Sequence, residues 1–168
     1  MTEPYRIMTV CTGNICRSPM AEVVLRDRLE RAGLADRVVV DSTGVSDEEH
    51  GNPIDRRARA ALAARGYPVP HRAARQVRPD DLAHRDLVLA MTASHARALR
   101  RIGGGQAPVV MYRSFDPAAP EVTDRDSEHL LDVDDPWYGG PENFELCLDE
   151  IEAAADGVVE HVRSALEG

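Results

Sequence analysis

Short apolar runs alternate along this chain with stretches of helical periodicity, and that alternation restricts the fold more than any other feature. Residues 5–10, 38–40, 87–91 and 109–112 read as strands, each apolar nearly throughout, as strands covered on both faces are. Between them lie helical patterns. In residues 19–32, Ala21, Val24, Leu25, Arg28, Leu29 and Ala32 recur at three- and four-residue spacing. Ser18 suits the N-cap of that helix, Pro19 its first position and Gly33 its stop. Residues 55–65 form a second helix, stopped by Gly66-Tyr67-Pro68, and residues 93–102 a third, ended by Gly103-Gly104-Gly105. A long last helix carries the stripe Phe144, Leu148, Ile151, Ala155, Val158, Val162 and Leu166. A parallel strand pair needs a crossover, and a helix supplies it, so this order predicts an α/β fold with a mainly parallel sheet. The chain, residues 1–168, has the length of one domain and shows no internal repeat or linker. Residues 113–141 are its one long irregular segment, rich in Asp and Pro, and such loops in compact domains tend to carry function.

The turn between the first strand and the first helix carries the chemistry. It reads Cys11-Thr12-Gly13-Asn14-Ile15-Cys16-Arg17-Ser18. A strand, a turn of small residues and a helix start together make an anion site, because the first turn of a helix has unpaired N–H groups and a partial positive charge. Here the turn opens on a cysteine and closes on an arginine, C-x5-R. Cys11 is the candidate nucleophile: a thiol attacks as thiolate, and a helix N-terminus beside an arginine favours that form. Arg17 offers a planar fork for two phosphate oxygens, which lysine lacks. Gly13 allows the backbone close to a phosphate, and Asn14 tolerates left-handed geometry. Ser18 can donate to the sulfur. Thr12, Ile15 and Cys16 complete the cradle. A Walker-type nucleotide loop is excluded, because G-x4-G-K-[ST] is missing. Zinc is disfavoured, since Cys11 and Cys16 have no second ligand pair at metal-site spacing.

Charge and cysteine usage narrow the class. The net charge of -9 argues against a nucleic-acid binder, which needs a basic surface. All the positive residues are Arg, a bias that points to a GC-rich, bacterial genome. Three cysteines, no export-like stretch in residues 1–10 and no run approaching a membrane span give the expectation of a cytoplasmic protein with reduced thiols and no membrane partner.

The segment V-C-T-G-N-I-C-R-S-P-M-A-E resembles the signature of the low-molecular-weight protein tyrosine phosphatases. The likeness continues through Asp41-Ser42-Thr43-Gly44, Gly66-Tyr67-Pro68, His71-Arg72-Ala73 and Asp135-Pro136-Trp137-Tyr138-Gly139. It implies a four-stranded parallel sheet flanked by helices, with the phosphate loop after the first strand. It also implies hydrolysis of phosphotyrosine in proteins or peptides through a cysteinyl-phosphate intermediate, releasing inorganic phosphate. Asp135, before Pro136, would be the general acid that protonates the leaving oxygen and then activates water. No cofactor or metal is expected, because the loop supplies the positive field. By the same resemblance Ser42 would help hold Asn14, and His71 would be a structural support. Thr92 stands where some relatives have Asp. Cys16 reads either as partner of Cys11 in a reversible disulfide or as a packing residue, and Cys147 as core.

At the pocket rim, family members often place an aromatic residue where this chain has Glu48. Trp137 and Tyr138 would form the opposite wall or pack within their own loop. Carboxylates at Glu48 and Glu49 should favour peptides with basic flanks. Alternatives on this fold are an arsenate reductase, a protein-arginine phosphatase and a phosphate-binding regulator without activity. The first needs a further cysteine relay and only Cys147 remains, relatives of the second tend to carry Thr where Ile15 stands, and the third has no need of Asp135.

Overall fold

The computed structural model describes residues 3–168; Met1 and Thr2, part of the stretch read above for export, lie outside them. The order of the sheet is β2-β1-β3-β4, all parallel, built from β1 (Tyr5–Cys11), β2 (Val38–Gly44), β3 (Leu87–Ala90) and β4 (Val109–Met111). The helices are α1 (Arg17–Arg31), α2 (Arg56–Ala64), α3 (Pro79–Ala83), α4 (Ala93–Ile102) and α5 (Pro141–Glu167).

Side chains alternate across a strand, and the two faces of the sheet accordingly bury two clusters. Ile7, Val40, Leu87 and Leu89 pack on one face with α1, α2 and α5, contributed by Leu25, Leu62, Leu148 and Ile151. Met8, Val10, Val88 and Ala90 pack on the other, against Leu82 of α3 and Ala96 and Leu99 of α4. The expected fold is therefore present, with helices on both faces. Because all strands run the same way, their carboxyl ends share one edge, where α/β proteins of this type bind ligands. Cys11 pairs with Gly44 there, and Met91 N donates to Val10 O at 3.1 Å.

Several boundaries differ from the sequence reading. Helix α1 begins at Arg17, with Cys16 in the N-cap position, so Ser18 is not the cap and Pro19 is not the first helical residue. The turn coils directly into the helix, and the Ser18 hydroxyl is used within the turn instead. Strand β2 runs on to Gly44, since Asp41, Ser42 and Thr43 continue the ladder with β1. Strand β4 stops at Met111, and Tyr112 opens a 3-10 turn, Tyr112–Phe115, in which its hydroxyl donates to Ile151 O at 2.6 Å. The segment read as irregular also holds 3-10 turns at Arg125–Leu131 and Pro136–Tyr138. Helix α3 escaped the periodicity because it is barely longer than one turn. No helix among the described residues is long and apolar enough to cross a membrane.

Candidate active site

The turn after β1 is held from outside by its carbonyls. Cys11 O accepts from Val45 N, Thr12 O from Ser46 N and Ile15 O from Asp55 N, at 2.9–3.0 Å, while Cys16 O accepts from Met20 N of α1 at 3.1 Å as the first bond of that helix. Asn14 O accepts from Arg72 Nη1 at 2.8 Å. By contrast, no backbone N–H from Gly13 to Arg17 donates to a protein acceptor among the described residues. A turn whose carbonyls are tied outward and whose N–H groups are unspent is an anion cradle.

Asn14 makes this curvature possible. It is the one non-glycine residue with positive φ among those described, at 61°. Its Nδ2 donates to Ser18 Oγ at 2.8 Å and Ser42 Oγ at 3.0 Å, and its Oδ1 accepts from Arg75 N and from Arg72. Ser42 in turn donates to Glu22 Oε1 at 2.6 Å. Below the turn lies Gly44, where a Cβ would come within 2.5 Å of Thr12 O, so a side chain there would lift the turn off the sheet.

Above the cradle a cavity of about 290 Å³ is lined by Cys11, Thr12, Gly13, Ile15, Cys16 and Arg17 at its floor and by Glu48, Glu49, Asp135, Trp137 and Tyr138 at its walls. Cys11 Sγ lies 3.0 Å from Ser18 Oγ, which also donates to Thr43 O at 3.2 Å. That single hydroxyl proton can turn to the sulfur once the thiol ionises. Arg17, buried in the floor, donates Nη1 to Val133 O at 2.9 Å and places Nη2 3.5 Å from Asp135 Oδ2. It thus spans from the turn to the loop bearing the aspartate. That loop is pinned at its base, where Val133 N donates to Met91 O and Asp132 Oδ1 accepts from Ala93 N. The Asp135 carboxylate accepts from Trp137 N at 3.1 Å, and its side chain is 40% exposed at the cavity wall.

All the sequence-singled residues except His71 converge on this cavity or its supports. His71 is exposed, and among the described residues it forms no hydrogen bond to the turn. Exposure alternates along residues 71–74, so that Arg72 points inward where His71 points out; the expected support falls to Arg72. Trp137 is partly exposed and Tyr138 almost fully so. Cys11, Cys16 and Cys147 are buried free thiols. Burial, reinforced by Asp55, pushes the Cys16 thiol far above its ordinary range, so it stays protonated at neutral pH. Burial likewise pushes Cys147 up to about 12.

Four contributors escaped the sequence reading. Glu22 and Arg72 brace Ser42 and Asn14. His95 Nε2 sits 2.8 Å from Thr12 Oγ1. Arg57 is held by Asp55, donates to the carbonyls of Trp137 and Gly139, and stacks over the Trp137 ring at 5.0 Å. Thr92, at the position where some relatives have Asp, caps α4 by accepting from His95 N. Glu22, Arg57 and His95 are polar side chains on helices and Arg72 lies in a loop, and neither setting says what the side chain touches.

Comparison with known proteins agrees with this geometry. The family model described as low molecular weight phosphotyrosine protein phosphatase matches residues 6–167. A low molecular weight protein-tyrosine-phosphatase of Streptomyces coelicolor is 47% identical over 167 residues, covering 98% of this chain and 97% of the relative. Low molecular weight protein-tyrosine phosphatase A of Mycobacterium tuberculosis is 45% identical over 166 residues, covering 99% and 96%. The crystal structure of a protein tyrosine phosphatase from Entamoeba histolytica superposes with a TM-score of 0.83 at 26% identity, covering 96% of this chain and 98% of that one. With its parallel sheet, its cysteine-to-arginine cradle and these matches along nearly its whole length, the chain belongs to the low molecular weight phosphotyrosine protein phosphatase family.

Proposed function

We propose that this chain hydrolyses phosphotyrosine in proteins or peptides, with Cys11 as nucleophile, Arg17 as phosphate clamp and Asp135 as general acid and base. One observation carries the reading: the unspent N–H groups from Gly13 to Arg17 follow directly on a buried cysteine whose sulfur has a hydroxyl partner. The phosphoryl group lies in the cradle with its oxygens on these N–H groups and on the Arg17 fork. The Cys11 thiolate forms an S–P bond as the P–O bond to the tyrosyl oxygen breaks, and the Asp135 carboxyl gives that oxygen its proton. Asp135, then a carboxylate, takes a proton from water as the water oxygen attacks phosphorus. The S–P bond breaks, and phosphate leaves with the thiolate restored. Arg17 reaches both the cradle and Asp135, so clamp and acid are set by one guanidinium. Trp137 and Tyr138 on one wall and Ile15 in the floor give a phenyl ring apolar surface. Residues 1–168 act in this reading as one catalytic domain, in the cytoplasm, on phosphoproteins.

Aryl phosphate hydrolysis with EDTA present is the first test. Cys11→Ser should abolish it, and undiminished turnover would remove the nucleophile assignment. Asp135→Asn should slow poor leaving groups by about 100-fold or more and good ones far less; an equal loss for both would mean that Asp135 is not the acid. Among matched phosphotyrosine, phosphoarginine and phosphoserine peptides, the first should be turned over fastest.

A further inference from the structure

Behind the cradle, one buried polar side chain is engaged on one side only. His95 lies in the first turn of α4 and is 4% exposed. Its Nε2 is 2.8 Å from Thr12 Oγ1, while its buried Nδ1 has no partner among the described residues. Burial, reinforced by Arg17, holds its pKa down at about 3, so the ring is neutral near pH 7 and carries a single N–H. Two proton arrangements fit the contact. In one, Nε2–H donates to Thr12 and Nδ1 is left as a bare lone pair. In the other, Thr12 donates and Nδ1–H becomes a buried donor without an acceptor. Orphaned buried N–H groups are the rarer kind of unsatisfied group. The first arrangement therefore prevails.

The consequence falls on Thr12. Its oxygen is occupied as an acceptor, so its hydrogen must point elsewhere. Thr12 Oγ1 has no other protein partner among the described residues, and Thr12 lines the cavity next to Cys11. We propose that His95 is a positioning residue that fixes the Thr12 hydroxyl as a hydrogen-bond donor into the phosphate cavity, adding a side-chain donor for a phosphoryl oxygen to the row of backbone N–H groups. The proposal rests on the phosphatase reading above and deepens it. A neutral imidazole suits this role: it directs a proton without placing a charge that would hold phosphate product.

The test uses the full chain. Ring nitrogen chemical shifts of His95 should report the Nε2–H tautomer between about pH 5 and pH 8; an Nδ1–H pattern overturns the proposal. Thr12→Val should weaken inhibition by inorganic phosphate about tenfold, the loss of one hydrogen bond to a charged group, and should raise KM for an aryl phosphate more than it lowers kcat. His95→Leu should do the same to no greater extent, and the double variant should be no worse than Thr12→Val. Thr12→Ser, which keeps the hydroxyl, and His95→Gln, whose amide keeps an N–H donor, should recover to within about threefold of wild type. Losses that multiply in the double variant, or wild-type phosphate inhibition in Thr12→Val, also overturn it. If His95→Leu does not fold, the ring shifts and the two Thr12 variants decide. A wild-type chain inert toward aryl phosphates would sink the phosphatase reading itself, whereas an active one with an unaffected Thr12→Val sinks only the Thr12–His95 assignment.

Discussion

Asn14 holds more of the site than its size suggests. Its backbone takes the left-handed turn, at a φ of 61°, that lets the cradle curl, while its amide joins Ser18, Ser42, Arg72 and Arg75 N. The two jobs can be separated by substitution. Asn14→Ala loses the bonds and also strains the backbone; Asn14→Gly loses the bonds alone. We expect Asn14→Ala to cost about 3 kcal/mol of unfolding free energy, with Asn14→Gly recovering about 1 kcal/mol of it. Both should lose most aryl phosphate turnover, since the amide also orients the Ser18 hydroxyl beside Cys11. Denaturant unfolding checks the first statement; equal stability of the two variants would show that the left-handed turn is not strained. A residue's own chemistry was legible in the sequence: the tolerance of Asn14 for this turn, the fork of Arg17, the thiol of Cys11. Its neighbours were less so. Ser18 looked like a helix cap because Ser before Pro usually is one, and here the turn needs that hydroxyl for itself. His71 was expected as a support from the family resemblance alone, and the side chain that reaches the turn is its neighbour Arg72.

Between elements, the site depends on how the loop bearing Asp135 is held over the turn bearing Cys11. Arg17 makes one link and Arg57 at the start of α2 makes the other. Arg57 is gripped by Asp55, whose N–H holds Ile15 O in the cradle. The same guanidinium donates to Trp137 O at 2.9 Å and to Gly139 O at 3.2 Å, and lies 4.6 Å from the Phe144 ring centre in α5. The Asp55–Arg57 pair therefore ties the cradle, the loop bearing Asp135 and the last helix together. Arg57→Ala should lower kcat about tenfold for a phenolic substrate with a poor leaving group and less than threefold for a nitrophenyl one, because only the first depends on a well-placed acid. Arg57→Lys should not recover it, since an ammonium cannot make the forked contacts. An equal fall for both substrates would reduce Arg57 to a stabilising role. Helix and strand periodicity made the elements themselves legible in the sequence. Links of this kind were not, because Arg57 and Trp137 lie 80 positions apart, and Thr12 and His95 lie 83 apart. Periodicity reports which face an element buries, and it is silent on which charged side chain crosses to another loop.

The whole molecule adds a field to these contacts. A net charge of -9 surrounds a site that must admit a phosphate dianion, and Glu48 and Glu49 stand at its mouth beside Asp135. The positive side chain lining the cavity is Arg17, buried in its floor. A phosphopeptide therefore crosses a negative entrance before it reaches positive ground, and positive residues flanking the phosphotyrosine offset that barrier at the rim, where the carboxylates lie. Exposed charges further than about 10 Å are screened at 0.1 M salt, whereas rim carboxylates against a bound peptide act at contact distance. Salt can thus separate the two contributions. At low salt, a phosphotyrosine peptide with arginine flanks should exceed its glutamate-flanked match in kcat/KM by about tenfold, and the ratio should shrink to about threefold at 0.5 M salt as the long-range part is screened. Glu48→Gln with Glu49→Gln should remove most of what remains, mainly by raising turnover of the acidic peptide. Equal turnover of the two peptides at low salt would mean that the entrance is not selective. A ratio unchanged in the double variant would move the preference from the rim to the molecule's overall charge.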